Sequence, residues 1–118
     1  MQISRLVTSH HRLPLTPPFV ASWDGRPRTH YDLALLQVET DAGITGVSSC
    51  GANADIQAHA DLFIGQDPLD RERHFQIVEN LSLHYGRCWT VDVALWDIVG
   101  QVMQQPCWRV LGLSLIHI

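Results

Sequence analysis

Apolar residues in the last third of the chain recur at helical spacing. Val91, Ala94, Leu95, Ile98 and Val102 fall on one stripe, which Trp96 and Val99 widen, while Asp92, Asp97, Gln101 and Gln104 supply polar positions. The pattern predicts an amphipathic helix, capped by Thr90 and stopped by Pro106. So wide an apolar face asks for more partner surface than a small domain easily offers, and so predicts contact with protein beyond this chain. Two helical patterns precede it. Ile56, His59, Ala60 and Phe63 repeat over 55–63 and stop at Gly65; Phe75, Val78, Leu81 and Tyr85 form an inward stripe that stops at Gly86. Asp67-Pro68-Leu69-Asp70 reads as the start of that second helix. Asp67 serves as N-cap, Pro68 takes the first helical position and Asp70 lies near the positive dipole end.

The first fifty residues follow a shorter period. Residues 2–12, with Ile3, Val7 and Thr8, predict a strand; residues 29–40 and 44–50 predict two more. Asp41-Ala42-Gly43 joins the last two as a tight hairpin turn, closed by a glycine free to take positive φ. Residues 13–28 hold Pro14, Pro17, Pro18 and Pro27, which predicts a long loop, because proline fixes φ and lacks a donor. Long irregular connections in small domains are often functional. The order of elements predicts an α+β domain: a three-stranded antiparallel meander followed by a three-helix bundle.

Composition narrows the function classes. The length of 118 residues fits one domain, and 46% apolar with 17% charged residues excludes a disordered chain. Net charge is −4 and no Lys or Arg run occurs, so neither nucleic acid nor an anionic membrane is an expected partner. The N-terminus is polar within a few residues, which argues against a signal peptide, and no apolar run approaches the ~20 residues of a membrane span. Cys50, Cys88 and Cys107 are odd in number and widely spaced, without a CxxC pair; reduced thiols in the cytoplasm are the expectation. Seven histidines suggest no metal site. His10 and His11 are adjacent on a strand and face opposite ways, and Gly86 interrupts the helix between His84 and Cys88. Helix capping accounts for Asp67 and Asp70. Asp97 is expected to make a hydrogen bond or salt bridge on its helix face, at a seam with further protein.

Several segments together carry a family resemblance. A proline-rich stretch after the first strand, the hairpin TDAGITG (40–46), and ALWDIVG (94–100) followed by Pro106 and RVLG (109–112) resemble the N-terminal capping domain of the enolase superfamily, mandelate racemase and muconate lactonizing enzyme group. The resemblance covers residues 1–112. It implies that a (β/α)₈ barrel follows, where a Lys or His base abstracts a proton α to a carboxylate and Asp and Glu ligands hold Mg²⁺. No catalytic or metal residue is carried over onto this chain, which contains no lysine. The resemblance also implies that two segments reach the active-site mouth. The first, 19–28, offers Trp23 to stack on a small carboxylate substrate such as an acid sugar, and Arg26 and Arg28 to pair with its carboxylate. The second, 49–53, offers Ser49 and Cys50 as wall residues. The full-length enzyme, an acid-sugar dehydratase, racemase or cycloisomerase, would be a homo-oligomer, and the cap alone inactive. Residues 113–118 (LSLIHI) depart from the usual continuation and read either as a non-native, adapter-derived tail or as the start of the barrel. The alternative is a free-standing α+β module for small-acid binding or dimerisation. A severed cap would leave an apolar patch bare on the last helix and near Trp108, whereas a self-sufficient module would cover it.

Overall fold

The computed structural model describes residues 1–51 and 56–114. Three antiparallel strands, β1 (Ile3–Ala21), β2 (Asp24–Thr40) and β3 (Thr45–Gly51), lie side by side in chain order. A 3₁₀ segment (Gln57–Leu62) and the helices α1 (Arg71–Tyr85), α2 (Trp89–Met103) and α3 (Cys107–Val110) follow. This is the α+β order read from the sequence. The predicted turn is present: Gly43 has φ 78°, and the Thr40 amide donates to the Ile44 carbonyl at 3.0 Å. Thr40 Oγ1 also donates to that carbonyl at 2.8 Å, which reinforces the closure.

Alternation sorts the sheet into two faces. Val38, Leu36 and Ala34 of β2 pair with Leu6, Thr8 and His10 of β1, and with Gly46, Ser48 and Cys50 of β3. This face carries the helices. Ile3, Leu6, Leu36 and Val38 join Phe63, Val78, Leu81, Val91, Leu95 and Ile98 in one core.

The predicted loop at 13–28 is instead the outer half of a long β1–β2 hairpin. Leu13 pairs with Tyr31 and Pro14 with His30; a register shift then leads to Phe19–Arg28 and Ala21–Asp24 pairs. Pro17 and Pro18 fall inside that shift, on an edge strand, where a missing amide donor removes no ladder bond.

The helices differ in detail from the sequence pattern. Asp67 does not cap α1: its carboxylate accepts from the Leu69 amide at 3.0 Å in a turn, and Asp70 stands at the cap position. That turn sinks Pro68 into the core. The inward stripe of α1 is His74, Val78 and Leu81; Phe75 is 49% and Tyr85 70% exposed. The stripe is rotated because His74 behaves as a core residue. Its Nε2 donates to the Asp67 carbonyl at 2.8 Å, and its ring stacks on Phe63 with centroids 5.8 Å apart. Thr90 lies inside α2, fully buried, and Cys88 takes the cap position.

The largest departure concerns α2. Val91, Ala94, Leu95 and Ile98 are all 0% exposed, sealed by the chain's own sheet and α1. The stripe therefore needs no outside partner, and the inference from its width fails. Only Val102, at the helix end, is 39% exposed. Gly46 explains the close approach: an added Cβ would overlap the Ala94 carbonyl oxygen and lie 2.7 Å from Ile98 Cγ1.

Gly46→Ala should therefore lower stability by roughly 2–3 kcal/mol through overpacking against helix backbone. A urea midpoint within error of the parent chain would refute that contact. His74 supplies a second test. Burial, the largest cause, holds its imidazole below the usual histidine value. The unfolded chain therefore binds the proton more readily, and stability falls as pH drops below about 6.5, until the folded-state value is reached. Urea midpoints at pH 7.5 and 5.5 should differ in the parent, and differ less in His74→Gln.

Candidate substrate-facing surface at the hairpin end

β3 ends opposite Leu33, so the outer arms of the β1–β2 hairpin continue beyond the third strand. The sequence-derived candidates lie on or beside this projection. Trp23 occupies the tip turn and is 78% exposed. Asp24 organises the residues after it: one carboxylate oxygen accepts from the Arg26 amide at 3.1 Å, and the other lies 3.7 Å from Arg28 Nη2. Arg28 is thus paired within the tip, and Arg26 is exposed.

Ser49 and Cys50 both lie in β3, within the strand predicted at 44–50. Strand geometry turns them to opposite faces, with Ser49 beside Leu35 and Cys50 beside Ala34. Ser49 is exposed on the face away from the helices. Cys50 is half-buried, and burial pushes its thiol up, away from the reactive thiolate. A wall residue fits this environment. The remainder of the predicted second segment, 52–53, lies outside the described residues.

The register brings forward side chains that the sequence reading passed over. His10, Ala34 and Cys50 form one row across the sheet, and Arg12 and Asp32 form the next on the same face. Arg12 donates to both Asp32 oxygens, at 2.7 and 3.1 Å, and His30 Nε2 lies 3.7 Å from Asp32. The Arg12 hydrogen bonds hold the Asp32 carboxyl below its usual range. The helix-side face of the projection is thus a polar strip of His10, Arg12, His30 and Asp32. All four lie inside the strands predicted at 2–12 and 29–40; joining them into one strip needs the cross-strand register, which local periodicity does not supply.

Helix α2 fixes the base of the projection. Asp97 Oδ2 accepts from the Val47 amide at 2.9 Å, Gln101 Nε2 donates to the Thr45 carbonyl at 2.7 Å, and Ser48 Oγ donates to the Thr90 carbonyl at 2.7 Å. These contacts run α2 antiparallel to β3, so the helix N-terminus sits at the Cys50 end. Asp97 therefore faces the chain's own sheet rather than a seam with further protein.

Chemically, this surface presents hydrogen-bond donors, one stacking ring and paired charges. Among the described residues no trio of His, Cys, Asp or Glu is placed to hold a metal ion. No helix among them is long and apolar enough to cross a membrane.

Residues 3–112 match the family described as mandelate racemase / muconate lactonizing enzyme, N-terminal domain, and the chain belongs to that family. It is 29% identical over 106 residues to a D-galactonate dehydratase of Klebsiella pneumoniae, covering 79% of this chain and 27% of the relative. It is 27% identical over 96 residues to a cis-3-hydroxy-L-proline dehydratase of Roseibium aggregatum, covering 70% of this chain and 26% of the relative. Among solved structures, an enolase from Streptomyces coelicolor superposes with a TM-score of 0.82 at 25% identity, over 98% of this chain and 32% of that one. The chain thus spans about a quarter to a third of the length of these proteins.

Asp97→Ala should cost about 1–2 kcal/mol, because it leaves the Val47 amide without its acceptor. Trp23→Ala, at the exposed tip, should change stability by less than about 0.5 kcal/mol. Chemical denaturation of both variants separates a supporting contact from a residue held out for recognition.

Proposed function

We propose that this chain is the N-terminal cap of a Mg²⁺-dependent lyase or isomerase that abstracts a proton α to a carboxylate. An acid-sugar dehydratase is the first reading; a racemase or cycloisomerase uses the same first step. The carrying observation is the family match over residues 3–112 in a chain that spans only about a quarter of each of two dehydratases. The base and the metal ligands would belong to a (β/α)₈ barrel, at the strand ends where such sites lie. Three unpaired cysteines fit a reducing, cytoplasmic setting.

In this reading the chain recognises and encloses; it does not itself transfer the proton. The hairpin would cover the mouth of the barrel. Trp23 would supply a flat apolar wall, and the substrate carboxylate would compete with Asp24 for Arg28 or be met by Arg26. Cys50, on the helix-side face of β3, would line the wall as a small residue, while Ser49, turned to the opposite face, would not reach the same wall. Exclusion of water at closure strengthens each charged contact with the substrate. Full-length enzyme would assemble as a homo-oligomer.

The test is kinetic. This chain alone, with Mg²⁺ and a panel of aldonic and uronic acids, should show no turnover. In an enzyme carrying residues 3–112 joined to its barrel, Trp23→Ala and Arg28→Ala should raise KM about tenfold while kcat falls less. Unchanged kinetics in both variants would remove the hairpin from the substrate site. Loss of kcat alone would move its role into the chemistry.

A further inference from the structure

The 3₁₀ segment and the turn after it form a strap over the start of β1. The Ile3 amide donates to the Gln66 carbonyl at 2.9 Å, and the Gly65 amide donates to the Ile3 carbonyl at 2.8 Å. Ile56, Ala60 and Phe63 of the strap sink into the core. Its far end is held by α1, where His74 Nε2 donates to the Asp67 carbonyl at 2.8 Å and the imidazole stacks on Phe63. The other ring nitrogen, Nδ1, is buried and has no hydrogen-bond partner. Because Nε2 carries the proton of the neutral ring, Nδ1 is the nitrogen that a second proton must take.

We propose that His74 is an acid-operated latch: a proton on Nδ1 releases residues 63–70 from β1 and α1 while the seam between α2 and β3 stays closed. Protonation there creates a cationic N–H with no acceptor inside the core, a group driven toward water. The groups that engage the ring, Phe63 and the Asp67 carbonyl, both belong to the strap, so displacing the strap hydrates the imidazole. The strap is also the weakly tied part of the fold. Backbone bonds at Ile3 hold it to β1, and its helical turns are 3₁₀, with poorer hydrogen-bond geometry than an α-helix. The bonds of Asp97, Gln101 and Ser48 that close the α2–β3 seam do not involve it. Of the charged groups acting on the ring, Asp70 at the start of α1 favours the cation, whereas Arg71 and Arg73 oppose it. Arg71 is itself paired with Asp92 of α2, and Phe63 meets the ring from the strap as an apolar group. The closed strap therefore binds the proton less well than the open one, and opening gains population as pH falls through about 6.5. Release bares the amide and carbonyl of Ile3 on the outer edge of β1.

This inference does not rest on the proposed enzyme role. Amide hydrogen exchange of the whole chain, read residue by residue at pH 7.5 and 5.5, tests it. The Ile3 and Gly65 amides report directly on the strap, and Leu95 and Ile98 report on the seam. At pH 5.5 the protection factors of Ile3 and Gly65 should lie at least tenfold below those of Leu95 and Ile98. Between the two pH values they should fall more than threefold, toward a ceiling of about tenfold for a group of ordinary value near 6.5. His74→Gln keeps a donor for the Asp67 carbonyl but cannot take the proton, so it should abolish that fall. Strap amides that exchange in step with Leu95 and Ile98 would show one global opening and overturn the latch. So would strap protection that is independent of pH, or a pH dependence that survives in His74→Gln. Should the variant fail to fold, the comparison of strap with seam in the parent chain decides the case.

Discussion

The contact between α2 and β3 carries the domain. β3 is an edge strand, and its outward amides and carbonyls would otherwise be free to pair with another chain. Helix α2 occupies that edge: Asp97 takes the Val47 amide and Gln101 reaches the Thr45 carbonyl. Gly46 makes this possible, because any side chain there would strike the helix backbone at Ala94. Once the helix is so close, Val91, Leu95 and Ile98 lose all exposure, and the core of β1, β2 and α1 closes around them.

The pattern of the chain disclosed the element order, the turn at Gly43 and the buried stripe of α2, because each follows from local periodicity or backbone conformation. The strands beyond Leu13 did not emerge, since proline content argues for a loop wherever edge position is unknown. His74 was missed for a related reason. A histidine reads as surface until a carbonyl is found for its Nε2, and that carbonyl belongs to Asp67, seven residues away in a turn. The width of the α2 stripe was misjudged: a single small sheet, with α1, buries Val91, Ala94, Leu95 and Ile98, and leaves only Val102 exposed at the helix end. On the opposite side Trp89, Val93 and Met103 stay exposed, while Arg71 covers Trp96 and α3 covers Gly100. That side was hidden in the sequence because Trp96 was counted as a flank of the core stripe.

The candidate site was legible in part. Trp23, Arg26 and Arg28 do lie together at the tip, but Asp24 already organises two of them. Ser49 and Cys50 are turned to opposite faces by strand alternation, which the strand predicted over 44–50 already implied. The strip of His10, Arg12, His30 and Asp32 depends on cross-strand register, set by pairings about twenty residues apart.

The shape of the hairpin itself argues for recognition. A two-stranded ribbon is marginally stable in water. One exposed ion pair, Arg12 with Asp32, crosses between its arms, and another, Arg28 with Asp24, lies within β2 at the tip; such pairs contribute little to stability. At the tip, Phe19 is 51%, Val20 59% and Trp23 78% exposed. A chain under selection for folding alone would shorten such a ribbon or make its tip polar. Retaining apolar rings and paired arginines beyond the core costs stability, a cost that fits the proposed role of the tip in covering a substrate.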